Sequence, residues 1–278
     1  MSLSYLDRGR FRDDGFLILR GFFAPEHYRA VGRDLAQRLA LLEKHHGLGP
    51  GPLDDEISGS SARLLRLERD SPGAQSVLYD AMNGAPALHR LATDPCLLAT
   101  VRALLSPTVA LHHRFIVLMS MPGDEWHLPV WHQDWFYNRG PASTLTVWAP
   151  LQRVDAENGA LLLAPGAWQD GFIEHAEHDH GVRTKWVSLP PDTVNGWGQT
   201  VSADLDVGDV LILNSLVPHS ARVNRSEHVL FVVNLRYQDL MDPEFIAAGW
   251  CVPPAAEARA VLARRPGAGA PAVEASTS

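Results

Sequence analysis

The chain has 278 residues, with 46% apolar and 20% charged side chains, 22 Gly and 20 Pro. That composition excludes disordered, collagenous and coiled-coil chains, and the length is enough to bury a sizeable core. Twenty-four Lys and Arg against 32 Asp and Glu leave a net charge of −8, a field that repels a polyphosphate backbone, so no nucleic-acid partner is expected.

The first fourteen residues carry Asp7, Arg8, Arg10, Arg12, Asp13 and Asp14 and lack the apolar stretch of a signal peptide. Phe16 to Phe23 reads as a short β-type run. Pro25 at a first helical position opens a helix to about Lys44, with Val31, Leu35, Leu39 and Leu42 on one face. His45 to Ser61, rich in Gly, Pro, Asp and Ser, is expected to be a mobile loop. Asp94 as cap and Pro95 in the first turn begin a second helix to Leu105. From there the runs are short and β-like: Val109 to Ser120, Val130 to Phe136, Thr144 to Leu151, Ala160 to Leu163, Val207 to Asn214 and Val229 to Tyr237. Such strands after helices predict a mostly antiparallel sandwich or barrel with helices packed on one side. Asn158-Gly159 between two runs is a hairpin signal. Residues 1–252 are expected to form a single domain, and 253–278 a Pro/Ala/Gly-rich tail, partly disordered. No apolar run approaches the ~20 residues of a membrane span, so no membrane partner is expected. Cys96 and Cys251 are too far apart for a zinc spacing or a disulfide framework and fit a cytoplasmic setting.

His132 and Asp134 stand two apart on a predicted strand, so both side chains would leave one face and could hold one metal ion. An H-x-D pair is weak evidence alone, and the chain has a rival in His175-Ala176-Glu177. The setting separates them. The rival lies in a charge-dense stretch, whereas His132 and Asp134 lie among Trp131, Trp135 and Phe136, where an imidazole and a carboxylate are costly to bury unless something ligates them. A third ligand is offered by Leu205 to His219, which runs as a turn, an apolar strand and a histidine. His132, Asp134 and His219 would form a two-histidine, one-carboxylate facial triad, the ligand set of Fe(II) oxygenases.

These segments resemble the phytanoyl-CoA dioxygenase family of Fe(II)- and 2-oxoglutarate-dependent oxygenases. The match includes Asp14-Gly-Phe-Leu-Ile-Leu-Arg-Gly-Phe22, Trp131-His-Gln-Asp-Trp135, Asn158-Gly159 followed by Ala164-Pro-Gly166, Gly208-Asp209, His219-Ser220, Asn224-Arg-Ser226 and Arg236-Tyr237. The resemblance implies a mainly β fold with flanking helices, a double-stranded β-helix (jelly-roll, cupin-like) barrel with the metal inside one mouth. It implies Fe(II), O₂ and 2-oxoglutarate as cosubstrate, with oxidative decarboxylation to succinate, CO₂ and a metal-bound ferryl that attacks a C–H bond, and no separate catalytic side chain. Related halogenases lose the carboxylate, so Asp134 argues against halogenation.

One departure bears on the cosubstrate. The family usually carries an arginine eleven residues after the distal histidine, to hold the far carboxylate of 2-oxoglutarate, and a serine or threonine two after it. Here those places hold Leu230 and Ala221. Arg222, three residues past His219, or Arg114 could anchor the carboxylate instead; both could equally be solvated or surface-paired. Arg236 shares a strand face with Leu230 but lies about 20 Å further along, and reads as structural. His127, Trp135, Tyr137 and Trp148 could wall an apolar or planar substrate or serve only as core packing. Phe172 to Trp186 falls where the family carries a variable loop and could be a lid, a solvated loop or, through His175, His178 and His180, a second metal site.

The expectation is an Fe(II)/2-oxoglutarate dioxygenase that hydroxylates a small organic molecule of specialised metabolism. The alternative from the same fold is an iron enzyme that does not use 2-oxoglutarate, because of Leu230; a binding module without turnover is a third. The sequence leaves the oligomeric state open.

Overall fold

The computed structural model describes residues 3–49, 51, 57–112, 115–125, 130–138, 140–178 and 186–250. The expected tail, 253–278, lies outside them, as do Arg114 and His127.

The chain opens with α1 (Tyr5–Asp14), β1 (Phe16–Leu19) and α2 (Glu26–His45), then continues through α3 (Ile57–Asp70), α4 (Ala74–Asn83), α5 (Pro86–Ala92) and α6 (Pro95–Leu104). Next come β2 (Val109–Leu111), β3 (Ile116–Ser120), α7 (Asp134–Asn138), β4 (Thr144–Pro150) and β5 (Leu161–Leu163). The remainder is β6 (Ala176–His178), β7 (Trp186–Ser188), α8 (Pro191–Gly196), β8 (Val201–Ser202), β9 (Val210–Asn214), β10 (His219–Ala221), β11 (Leu230–Asp239) and α9 (Pro243–Ala247).

Local chemistry sets the boundaries. Ser4 and Asp7 cap α1 reciprocally, the Asp7 N–H donating to Ser4 Oγ and the Ser4 N–H to Asp7 Oδ2. Gly15 ends that helix at φ 85°, and a Cβ there would come within 2.4 Å of the Trp168 ring, so only glycine fits. The expected Asp94 cap is present: its carboxylate accepts from the N–H groups of Cys96 and Leu97.

Six strands form one antiparallel sheet in the order β1-β9-β4-β11-β2, with β3 also paired to β11. A smaller sheet runs β10-β5-β8. Side-chain alternation divides the core in two. Val147, Ile212, Phe231, Val233 and Leu235 point outward from the large sheet into one cluster with Leu35, Leu39, Leu64, Leu78 and Leu88 of the helices. Trp148, Leu211, Leu213, Leu230 and Val232 point the other way and meet Leu161, Leu163, Leu205 and Val217, which fills the space between the two sheets.

Several expectations are corrected. The architecture is mixed α/β rather than mainly β, because the stretch between α2 and α6 folds into three further helices. Residues 57–61, expected in a loop, begin α3, where Ser60 and Ser61 are buried; Pro50 and 52–56 of that loop lie outside the described residues. Among the described residues the sheets stay separate rather than closing into a barrel, since the two- and three-residue strands of the smaller sheet pair only with each other. Val109 to Ser120 is two strands, β2 and β3, both paired to β11. Val130 to Phe136 is not a strand: it makes one bridge at His132 and turns into α7. Asn158-Gly159 makes a turn, with Gly159 at φ 113°, but not a hairpin, because the flanking β4 and β5 belong to different sheets.

The helical layer hangs on one buried charge cluster. Glu43 of α2, fully buried, accepts from Arg63 at 2.9 Å, from Arg66 at 2.7 Å and from the Gly51 N–H at 2.8 Å. Burial pushes its carboxyl up, but the two arginines and the backbone bond outweigh that and hold it below the usual range. Glu43→Ala removes the buried carboxylate that Arg63 and Arg66 share, and is expected to cost about 3 kcal/mol in urea unfolding; a loss below about 1 kcal/mol would show that the cluster behaves as a surface ion pair.

Candidate metal centre

Three ligating atoms converge between the sheets. His132, Asp134 and His219 each offer an atom lying within 4.8 Å of the others, and all three side chains are buried. The expected strand alternation does not bring them together. His132 and His219 face each other as an isolated antiparallel bridge, with the His132 N–H donating to His219 O at 2.9 Å and the His219 N–H to His132 O at 3.0 Å. The chain then bends, the Trp135 N–H donates to Ser215 O at 3.0 Å, and Asp134 becomes the first residue of α7. The carboxylate therefore arrives from a helix start and the histidines from paired backbone.

The tautomers are set by the backbone. His132 Nδ1 lies 2.7 Å from Val130 O and His219 Nδ1 lies 2.9 Å from Val217 O. A carbonyl only accepts, so each Nδ1 carries a proton and Nε2 is the ring nitrogen left to ligate. The ring centroids are 4.3 Å apart. Burial and then the neighbouring His219 pull His132 down to about 3, against the pull of Asp134, so it is neutral near pH 7 and ready to ligate.

Asp134 is anchored twice. Thr146 Oγ1 donates to Asp134 Oδ2 at 2.6 Å, and an Arg236 nitrogen stands 3.8 Å from Oδ1. Burial alone would raise the carboxyl, but Arg236, the two histidines and the Thr146 bond outweigh it and bring it to about 2. Arg236 and Thr146 face one another across the β11–β4 register, on the inner face that also carries Leu230 and Val232. Arg236 is thus at the metal end of β11 and Leu230 at the far end, as strand spacing requires.

Sequence reasoning missed three supports. Gln133 is fully buried: its side-chain amide donates to Gly171 O and Leu216 O, and its Oε1 accepts from the Ile173 N–H. His175 receives the Gln133 N–H on Nε2 at 3.0 Å, has Nδ1 2.8 Å from Ile173 O, and stacks on Phe136 at 4.4 Å. The rival H-x-E pair is therefore a brace behind the metal motif, with both ring nitrogens engaged, and no second metal cluster occurs among the described residues. Thr146 is the third; its only sequence signal was a polar residue on the inward face of an apolar strand. His180 and the positions to Lys185 lie outside the described residues.

The other candidates separate. Trp148 lies on the same face as Thr146, one pleat further along β4, and lines a cavity of about 110 Å³ with Leu118, Leu161, Ala221, Leu230 and Val232. Tyr137 sits 5.3 Å from the His132 ring, its hydroxyl pushed up to about 12 by burial and by Asp134. Trp135 turns to Phe172 and donates to Gly140 O at 2.8 Å. Arg222 follows β10, its Nε buried without a hydrogen-bond partner among the described residues, and is not among the described residues lining the cavity.

A buried His/Asp/His cluster beside two antiparallel sheets is a candidate site for one metal ion. The phytanoyl-CoA dioxygenase (PhyH) family model matches residues 11–229, and the chain belongs to that family. The phytanoyl-CoA dioxygenase domain-containing protein 1 of Mus musculus is 23% identical over 252 residues, covering 79% of this chain and 84% of that one. Among solved structures, the epimerase SnoN in complex with Fe3+, alpha ketoglutarate and nogalamycin RO aligns with TM-score 0.51 and 21% identity, over 96% of this chain and 91% of that one. EctD from S. alaskensis, with 2-oxoglutarate and 5-hydroxyectoine, gives 0.54 and 17%, over 86% and 77%. The alpha ketoglutarate dependent carbocyclase SnoK gives 0.54 and 15%, over 88% and 91%. At these identities the likeness is one of fold.

Thr146→Val removes the hydroxyl that holds Asp134 while keeping the side-chain shape. Loss of such a support is expected to weaken Fe(II) affinity about 10- to 100-fold in anaerobic metal titration; unchanged affinity would mean that Arg236 alone orients the carboxylate.

Proposed function

We propose that this protein is a mononuclear non-haem Fe(II) dioxygenase of the phytanoyl-CoA dioxygenase type, which hydroxylates or otherwise oxidises a C–H bond of a small organic molecule. The observation that carries the reading is the buried cluster of two imidazole Nε2 atoms and one ionised carboxylate. That donor set suits Fe(II) and is the facial triad of O₂-activating iron enzymes. When bound, the iron supplies the redox chemistry of O₂. His132 and His219 hold it with fixed tautomers, Asp134 balances charge, and Thr146 and Arg236 keep that carboxylate from turning away. Gln133 and His175 brace the motif so that the ligands stay in register. The packed apolar residues between the sheets support a site from which water is excluded during a radical step. We read the paired sheets as a double-stranded β-helix, and the widely spaced cysteines as those of a cytoplasmic enzyme.

Substrates of relatives differ too much to transfer. An epimerase, a carbocyclase and a protein holding 5-hydroxyectoine share this fold, which supports small-molecule specialised metabolism rather than one reaction. The relatives' 2-oxoglutarate is the first cosubstrate to consider. A second reading, in which 2-oxoglutarate is not consumed, is favoured by Leu230 and Ala221, which stand where the family carries its carboxylate-holding residues.

Anaerobic titration of the metal-free protein should show one tightly bound Fe(II), and His219→Ala should weaken it by about 100-fold or more. Equal binding by the variant would remove the metal assignment.

A further inference from the structure

The family's cosubstrate needs a cation for its far carboxylate, and the described residues at that place do not supply one. Leu230 and Ala221 both line the cavity of about 110 Å³, together with Leu118, Leu161, Trp148 and Val232. The one charged side chain among the lining residues is Asp124, an acid. The cavity adjoins the metal centre through two strands: Ala221 leaves the same face of β10 as His219, and Trp148 the same face of β4 as Thr146, each about 7 Å further along. Among the described lining residues none offers a counter-charge, so burying a carboxylate against these walls is costly. An aliphatic chain would be stabilised by the same walls, and the space takes several water-sized groups.

We infer that this cavity receives the aliphatic side chain of a 2-oxo acid other than 2-oxoglutarate, whose 2-oxo and carboxylate oxygens chelate the metal held by His132, Asp134 and His219. The inference rests on the Fe(II) reading and changes the cosubstrate. The stoichiometry balances: R–CO–COO⁻ + O₂ + R′–H gives R–COO⁻ + CO₂ + R′–OH. The bond between the carbonyl and the carboxylate breaks. One oxygen atom of O₂ enters the new carboxylate and the other the alcohol, and the four electrons O₂ takes up come two from the 2-oxo acid and two from R′–H. Leu230 and Ala221 then act as specificity residues, setting which 2-oxo acid enters.

The test is an anaerobic titration of the Fe(II)-loaded protein with 2-oxoisocaproate and, separately, with 2-oxoglutarate, following the visible charge-transfer band of the chelate. Metal content is measured first, so that loss of the iron site is recognised as failure of the parent reading. The expected result is a saturable band with 2-oxoisocaproate at an affinity at least about tenfold above that for 2-oxoglutarate. Leu230→Arg should reverse the order by returning a bidentate cation to the wall. The wild-type comparison stands even if that variant does not fold. Tighter binding of 2-oxoglutarate by the wild type overturns the inference, and its loss in Arg222→Ala would name Arg222 as the anchor. Iron bound with no band from either acid overturns it as well, and directs attention to substrates that chelate iron themselves.

Discussion

Everything at the centre of this protein depends on the reciprocal backbone pair between His132 and His219. Two N–H···O bonds lock an irregular segment to the first residue of β10. That lock sets both imidazoles side by side, and the carbonyls of Val130 and Val217 then turn both protons away from the shared space. Asp134 can be buried there because Arg236 and Thr146 reach it from the opposite sheet. A carboxylate in an apolar sandwich is stable only with such compensation. The candidate metal site is therefore a joint between two sheets, and residues that look like sheet packing are also what hold it in shape.

The inner face of β11 shows how one strand serves two chemistries. Arg236 meets the Asp134 carboxylate, while Leu230 and Val232, on the same face, wall the apolar cavity. Between them the surface changes from charged to apolar within six residues, which strand geometry spreads over about 20 Å. The outer face of the same strand packs on helices throughout, as Phe231, Val233, Leu235 and Tyr237. A rigid, doubly buried strand positions these groups more precisely than a loop would.

Parts of this were legible from residues alone. The Asp94 cap, the Pro25 helix with its Val31, Leu35 and Leu39 face, and the apolar runs of β4, β9 and β11 carried local signals strong enough to read. The grouping of His132, Asp134 and His219 was legible as residue types in a costly setting. Other features were not. The sequence reading put His132 and Asp134 on one strand, whereas the second belongs to a helix start, because a hydrogen bond from Trp135 to Ser215, eighty residues away, bends the chain there. Asn158-Gly159 carries a hairpin signal, yet whether the flanking strands pair with each other is decided by the partners they find elsewhere. His175 lies in a polar stretch and was legible only as a rival ligand, since its stacking on Phe136 and its bond from Gln133 exist only once the loop is folded back.

By itself the sequence determined the residue types available for chemistry: two histidines and an aspartate in apolar surroundings, a leucine at 230 and an alanine at 221, and the alternation that splits each long strand between two cores. Those follow from local chemistry, because burial periodicity and capping act over a few residues. Only the tertiary structure decided which nitrogen of each histidine faces the shared space, which arginine reaches Asp134, and that Leu230, Ala221 and Trp148 share one apolar cavity. Hydrogen bonds and contacts between residues distant in sequence set those features, and no local pattern encodes them.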